Sequence, residues 1–299
     1  MLFEDFGNTG RSFAKDPAMV RFRGRYYLYY SKHDADEDVY GIGVAVSDDM
    51  THYEIVNSLK SELPGEGKGI CAPAAIVLDG VVHLFYQSYG QFPKDYICHA
   101  FSKDGVHFER DPSNPVFMPH GSWNCGRAID ADVVEWNGKL LLYWATRDPE
   151  MKVQMLGVAA ADIGSGFSRG TWTQLDPDEP VLKPELDWEQ VCIEAPAACV
   201  RDGKIYLFYA GAYNCAPQQV GCAVSGDGVH FERLFIDEPL LKNGHRGAWN
   251  ECESGHPYIF VDEGRYHLLY QGSDDNGKTW RLSRCELEFD DKGLPRVIR

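Results

Sequence analysis

"KDPAMVRFRGRYYLYYS", residues 15–31, places an acid and a proline ahead of a short apolar run, then an Arg-Gly-Arg turn, then a run of tyrosines. Glycine in a two-residue turn admits the positive φ that a tight hairpin demands, so the stretch reads as two antiparallel strands. "YYLYY" is apolar on both faces, whereas a strand with one wet face would alternate. A hairpin buried on both sides needs neighbours packed face to face.

The same pattern recurs four times. "LDGVVHLFYQS" (78–88), "WNGKLLLYWAT" (136–146), "RDGKIYLFYAG" (201–211) and "DEGRYHLLYQG" (262–272) each carry a turn glycine and a strand rich in Tyr, Leu and Phe. The glycines Gly24, Gly80, Gly138, Gly203 and Gly264 are 56, 58, 65 and 61 residues apart. A second element follows each hairpin, most clearly in "VAVSDDMTHYE" (44–54), "AFSKDGVHFER" (100–110) and "AVSGDGVHFER" (223–233). It reads as a strand, an Asp/Gly turn and a further strand. About four short strands per repeat, five times over, predict an all-β, five-bladed β-propeller with its site at one mouth of the central channel. The alternative, a β-sandwich, would make the similarity coincidental. With no linker or low-complexity stretch in view, residues 1–299 are expected to form one catalytic domain without an accessory domain.

Composition narrows the partners. The 299 residues are 44% hydrophobic and carry a net charge of −16. Such a chain repels phosphate backbones and anionic lipid, which argues against nucleic acid and membrane. The N-terminal stretch has neither a basic nor an apolar signal region, and nine cysteines occur without a CxxC pair. A cytoplasmic protein with reduced thiols is therefore expected. Oligomeric state is not encoded in any of these features.

The residues ahead of the five glycines carry the function. Asp16-Pro17, Ala72-Pro73, Asp130-Ala131, Ala195-Pro196 and His256-Pro257 each begin eight residues before a turn glycine, and Glu194 stands one step earlier. Proline belongs at strand starts and free edges, so these dipeptides are expected where the innermost strands open onto the channel. That register gathers Asp16, Asp130, Glu194 and His256 at one mouth. Asp132 is an alternative to Asp130, and Glu251 and Glu253 are reserves beside His256. Trp123, Trp188 and Trp249 each lie six or seven residues before a site residue. They could stack on sugar rings at the mouth or plug gaps between blades. Arg127 and Arg246, in the same loops, could orient hydroxyls, pair with the acids or recognise an anionic substrate. Two facing carboxylates suit glycoside hydrolysis, one protonated for the leaving oxygen and one ionised to activate water or attack carbon. A third raises the acid's pKa by like-charge repulsion.

"KDPAMV" (15–20), "CAPAAI" (71–76), "AIDADVV" (128–134), "IEAPAAC" (193–199) and "GHPYIF" (255–260) together resemble the motifs of the five-bladed propeller glycosidases, most closely glycoside hydrolase family 43. The resemblance runs over essentially the whole chain. It implies Asp16 as general base, Glu194 as general acid, Asp130 as modulator of the acid's pKa and His256 near the channel centre. It further implies oligosaccharide substrates of arabinofuranoside or xyloside type, cleaved with inversion. No cofactor is required, but several members hold Ca²⁺ on the propeller axis, which His256 would serve through waters. Three positions depart from the pattern. Cys71, in the substrate region, stands where Trp is common, Ala131 where Pro is usual, and Pro257 where Gly is frequent. A retaining β-fructosidase-like hydrolase, a propeller phosphorylase and a non-catalytic carbohydrate-binding propeller are the competing readings.

Overall fold

A computed structural model describes residues 2–298. Five antiparallel sheets surround a central channel, as the repeat predicts. Blade 1 is Lys15–Phe22, Arg25–Asp34, Val39–Ser47 and Glu54–Leu59. Blade 2 is Gly69–Leu78, Val81–Tyr89, Ile97–Ser102 and Glu109–Arg110. Blade 3 is Ile129–Trp136, Lys139–Arg147, Gln154–Asp162 and Thr173–Gln174. Blade 4 is Ile193–Arg201, Lys204–Gly211, Gln219–Ser225 and Glu232–Arg233. The helical residues described form two single 3₁₀ turns, and no helix among them is long and apolar enough to cross a membrane.

Blade 5 departs from the consecutive pattern. Its strands Glu253–Asp262, Arg265–Ser273 and Arg281–Phe289 are completed by Leu2–Phe3 from the other end of the chain and by Pro295–Ile298. Closing the ring this way also covers an edge that would otherwise offer unpaired N–H and C=O groups. In blades 2, 3 and 4 the outermost strand is only two residues long, which blunts the edge differently.

Packing between blades buries both faces of each middle strand. Tyr29 of blade 1 donates its hydroxyl to the Gly105 carbonyl of blade 2 at 2.9 Å, and Tyr143 of blade 3 does the same to Gly228 of blade 4 at 2.9 Å. Fully buried Glu66 accepts from Tyr86 at 2.6 Å and from Arg110 Nε at 2.9 Å. Glu189 repeats this with Tyr209 at 2.7 Å and Arg233 at 2.9 Å. A buried carboxylate is tolerated because it is paired and hydrogen-bonded.

Candidate active site

The five innermost strands ring the channel, and each breaks register at the expected dipeptide. The break is a β-bulge inside the strand, so the prolines sit at bulges rather than at strand starts. A bulge lacks a ladder bond to donate to, which is why proline fits there. The first residue of every dipeptide has positive φ: Asp16 51°, Ala72 48°, Asp130 50°, Ala195 49° and His256 43°. Left-handed backbone at a non-glycine residue costs about 1–2 kcal/mol and needs support from its surroundings. At four of the five, a side chain of the preceding blade accepts from the bulged amide. The acceptors are Gln271 for Asp16 (3.0 Å), Ser31 for Ala72 (2.7 Å), Gln87 for Asp130 (2.9 Å) and Gln218 for His256 (3.1 Å).

These bulges converge on one pocket of about 380 Å³. Asp16, Asp130, Glu194, His256, Cys71 and Arg127 all line it. His256 Nδ1 lies 3.1 Å from Asp16 Oδ1. Glu194 accepts from Gln218 Nε2 at 2.6 Å and from Gln154 Nε2. Burial pushes Asp16 up, but His256, then Lys15, then a hydrogen bond from Ser31 outweigh it and leave its carboxyl below the usual range. Glu194 is pushed up, by burial first and by Glu253 after it. Burial, with the charges of Glu194 and Asp16 added, raises Asp130 to about 7. One carboxyl is thus held ionised and two are biased towards the protonated form within one pocket, the separation that acid–base catalysis requires.

The tryptophans stand elsewhere. Trp123 stacks on Trp144 and donates to the Asp176 carbonyl at 2.8 Å. Trp188 covers Gly211 and Gly221 beside Tyr209, and Trp249 covers Gly272 beside Tyr270. Each fills space over a glycine or an aromatic ring of its own blade and none lines this pocket, so of the two alternatives the packing favours gap filling over stacking on a sugar there. Arg246 is exposed in its loop and does not line the pocket. Asp132 is buried away from the pocket and accepts from Ala198 N at 2.6 Å.

Lys15, Tyr40, Gln87, Arg147, Gln154, Tyr213 and Asn214 line the pocket too, and only some had a sequence signal. Lys15 occupies the same position before its bulge as Glu194 does before Ala195, nine residues ahead of a turn glycine. Its ammonium donates to Asn214 Oδ1 at 3.1 Å and lies 4.0 Å from Asp16 Oδ1. The other lining residues come from second strands (Gln87, Arg147), third strands (Tyr40, Gln154) and a loop (Tyr213, Asn214), outside the repeating dipeptide register.

A directly ligated Ca²⁺ does not fit these donors. Among the described residues no three His, Cys, Asp or Glu side chains are arranged to hold a metal. His256 Nδ1 is engaged with Asp16, and the Lys15 ammonium already brings positive charge to the acids.

Comparison with known proteins agrees with this architecture. A thermostable family-43 glycoside hydrolase superposes with a TM-score of 0.75 at 20% identity, over 96% of this chain and 93% of that one. An α-L-arabinanase of Cellvibrio cellulosa does so with 0.71 at 16%, over 96% of each. Identities this low speak to the fold alone. Among characterised sequences, a 1,2-beta-oligomannan phosphorylase of Thermoanaerobacter sp. (strain X514) is 32% identical over 131 residues, which is 39% of this chain and 43% of that protein. A beta-1,2-mannobiose phosphorylase of the same organism is 30% identical over 131 residues, 38% of this chain and 41% of that protein. The match thus spans about two-fifths of each curated relative. The model of glycosyl hydrolases family 43 matches residues 9–293, and the chain belongs to that family.

Proposed function

We propose that the protein hydrolyses glycosidic bonds in oligosaccharides, of arabinofuranoside or xyloside type, with inversion. Asp16 takes a proton from a water as that water attacks the anomeric carbon, and Glu194 gives its proton to the departing oxygen. Asp130, from the adjacent blade 3, opposes the ionisation of Glu194 once it is itself ionised, because the two charges repel. The observation that carries this reading is the opposed environments of Asp16 and Glu194, which come from non-adjacent blades and line one pocket. The family's other members argue for the sugar class, and the geometry argues for the division of labour.

Asp16→Asn and Glu194→Gln are each expected to lower kcat by roughly 10²–10⁴ with the fold intact. The measurement is turnover on a panel of aryl furanosides and pyranosides, with circular dichroism for the fold. Full activity in either variant removes that residue from the chemistry. NMR of the first anomer released tests inversion, and the retained anomer would make Asp16 a nucleophile. Turnover that requires inorganic phosphate would point instead to phosphorolysis, the activity that the two Thermoanaerobacter relatives are named for.

A further inference from the structure

Two guanidinium groups stand at the same end of the pocket. Arg127, 9% exposed, pairs with Asp95 at 3.3 Å through Nη2, and its Nε is buried without a hydrogen-bond partner. Arg147 donates from Nε to Gln154 Oε1 at 3.1 Å and forms no ion pair among the described residues. Both lie against Phe92, with Cζ 5.2 Å and 5.8 Å from its ring, and Arg147 lies 5.3 Å from the Tyr213 ring as well. The rings hold the guanidinium groups in place while leaving N–H groups free to donate. Among the described residues Asp95 is the one carboxylate paired with the two arginines, and it also accepts from Gln91 N at 3.0 Å. A spare positive charge facing a pocket is notable in a chain of net charge −16.

We propose that Arg127 and Arg147, steadied by Phe92 and Tyr213, form an oxyanion subsite on the leaving-group side of the pocket, taking a sugar carboxylate or a phosphate. The side follows from Gln154, which accepts from Arg147 and donates to Glu194. The assignment to the leaving group rests on Glu194 being the acid. The presence of an anion subsite does not. An arginine fork matches the paired oxygens of either anion, and a neutral hydroxyl leaves its charge unanswered.

Calorimetric titration of the full chain with D-glucuronate, inorganic phosphate and, as the neutral control, D-glucose tests the subsite. Wild type is expected to bind at least one anion and not glucose. Arg147→Met is expected to weaken that binding roughly tenfold or more, with partial recovery in Arg147→Lys. Tighter glucuronate binding marks a uronic acid on the leaving group, and tighter phosphate binding marks a phosphate as the occupant. No anion binding in wild type, or equal binding in Arg147→Met, overturns the proposal. Asp16→Asn separates the two claims. It should retain anion binding while losing turnover, and retained turnover would sink the catalytic reading alone.

Discussion

His256 illustrates how one residue sets the working pH of another. Its Nδ1 sits 3.1 Å from Asp16, and it is the strongest of the groups that pull the Asp16 carboxyl down against burial. In His256→Asn that support is lost and the Asp16 pKa rises. Activity that needs Asp16 ionised then switches on at higher pH, so the rising limb of the kcat/KM profile moves up. Asp130→Asn acts on the other limb. It removes a carboxyl whose ionisation opposes that of Glu194, so in the range where Asp130 is ionised in wild type the acid's pKa falls in the variant and the descending limb moves to lower pH. Profiles of the two variants should therefore narrow from opposite sides. An unmoved rising limb in His256→Asn would show that Lys15 and Ser31 suffice for Asp16.

At the level of strands and loops, the tryptophans divide what the sequence makes legible from what it hides. The blades are legible because a glycine and a dipeptide recur at a fixed offset, and backbone geometry enforces that offset in every repeat. The convergence of Asp16, Asp130, Glu194 and His256 follows from it. The bulge was hidden, since a residue before proline reads as extended rather than left-handed. The role of Trp188 was hidden too, because its partners, Gly211 and Gly221, lie in other strands of the blade. A Cβ at Gly211 would meet the Trp188 ring at 2.3 Å, and one at Gly221 would meet it at 2.5 Å. Trp188 is thus the filler of a slot that two glycines leave open. Trp188→Ala should cost about 3 kcal/mol in urea unfolding while leaving KM unchanged. A raised KM with unaltered stability would restore the sugar-stacking role.

Over the whole molecule, the ring concentrates carboxyls where water is scarce. Burial raises Asp130, Asp132, Asp176 and Glu253 to about 7. In the unfolded chain they ionise near 3.8 for aspartate and 4.5 for glutamate. Between those values and 7 the unfolded chain binds fewer protons than the folded one, so stability falls as pH rises through that window. Turn residues act oppositely. The amide of His52 for Asp49, and of His230 for Asp227, holds the carboxylate well below its usual pKa. Their contribution is present above the unfolded value and fades as pH drops below it. The net charge of −16 adds repulsion at high pH. Stability should therefore peak on the acid side of neutrality, and the melting temperature should fall by several degrees from pH 5 to pH 8. Asp132→Asn is the sharpest probe. It lies outside the pocket, and the amide oxygen can still accept from Ala198 N. Scanning calorimetry across that range should show a flatter decline in the variant than in wild type. A melting temperature that rises from pH 5 to pH 8 in wild type would mean that these buried carboxyls are not the groups governing the molecule's response to pH.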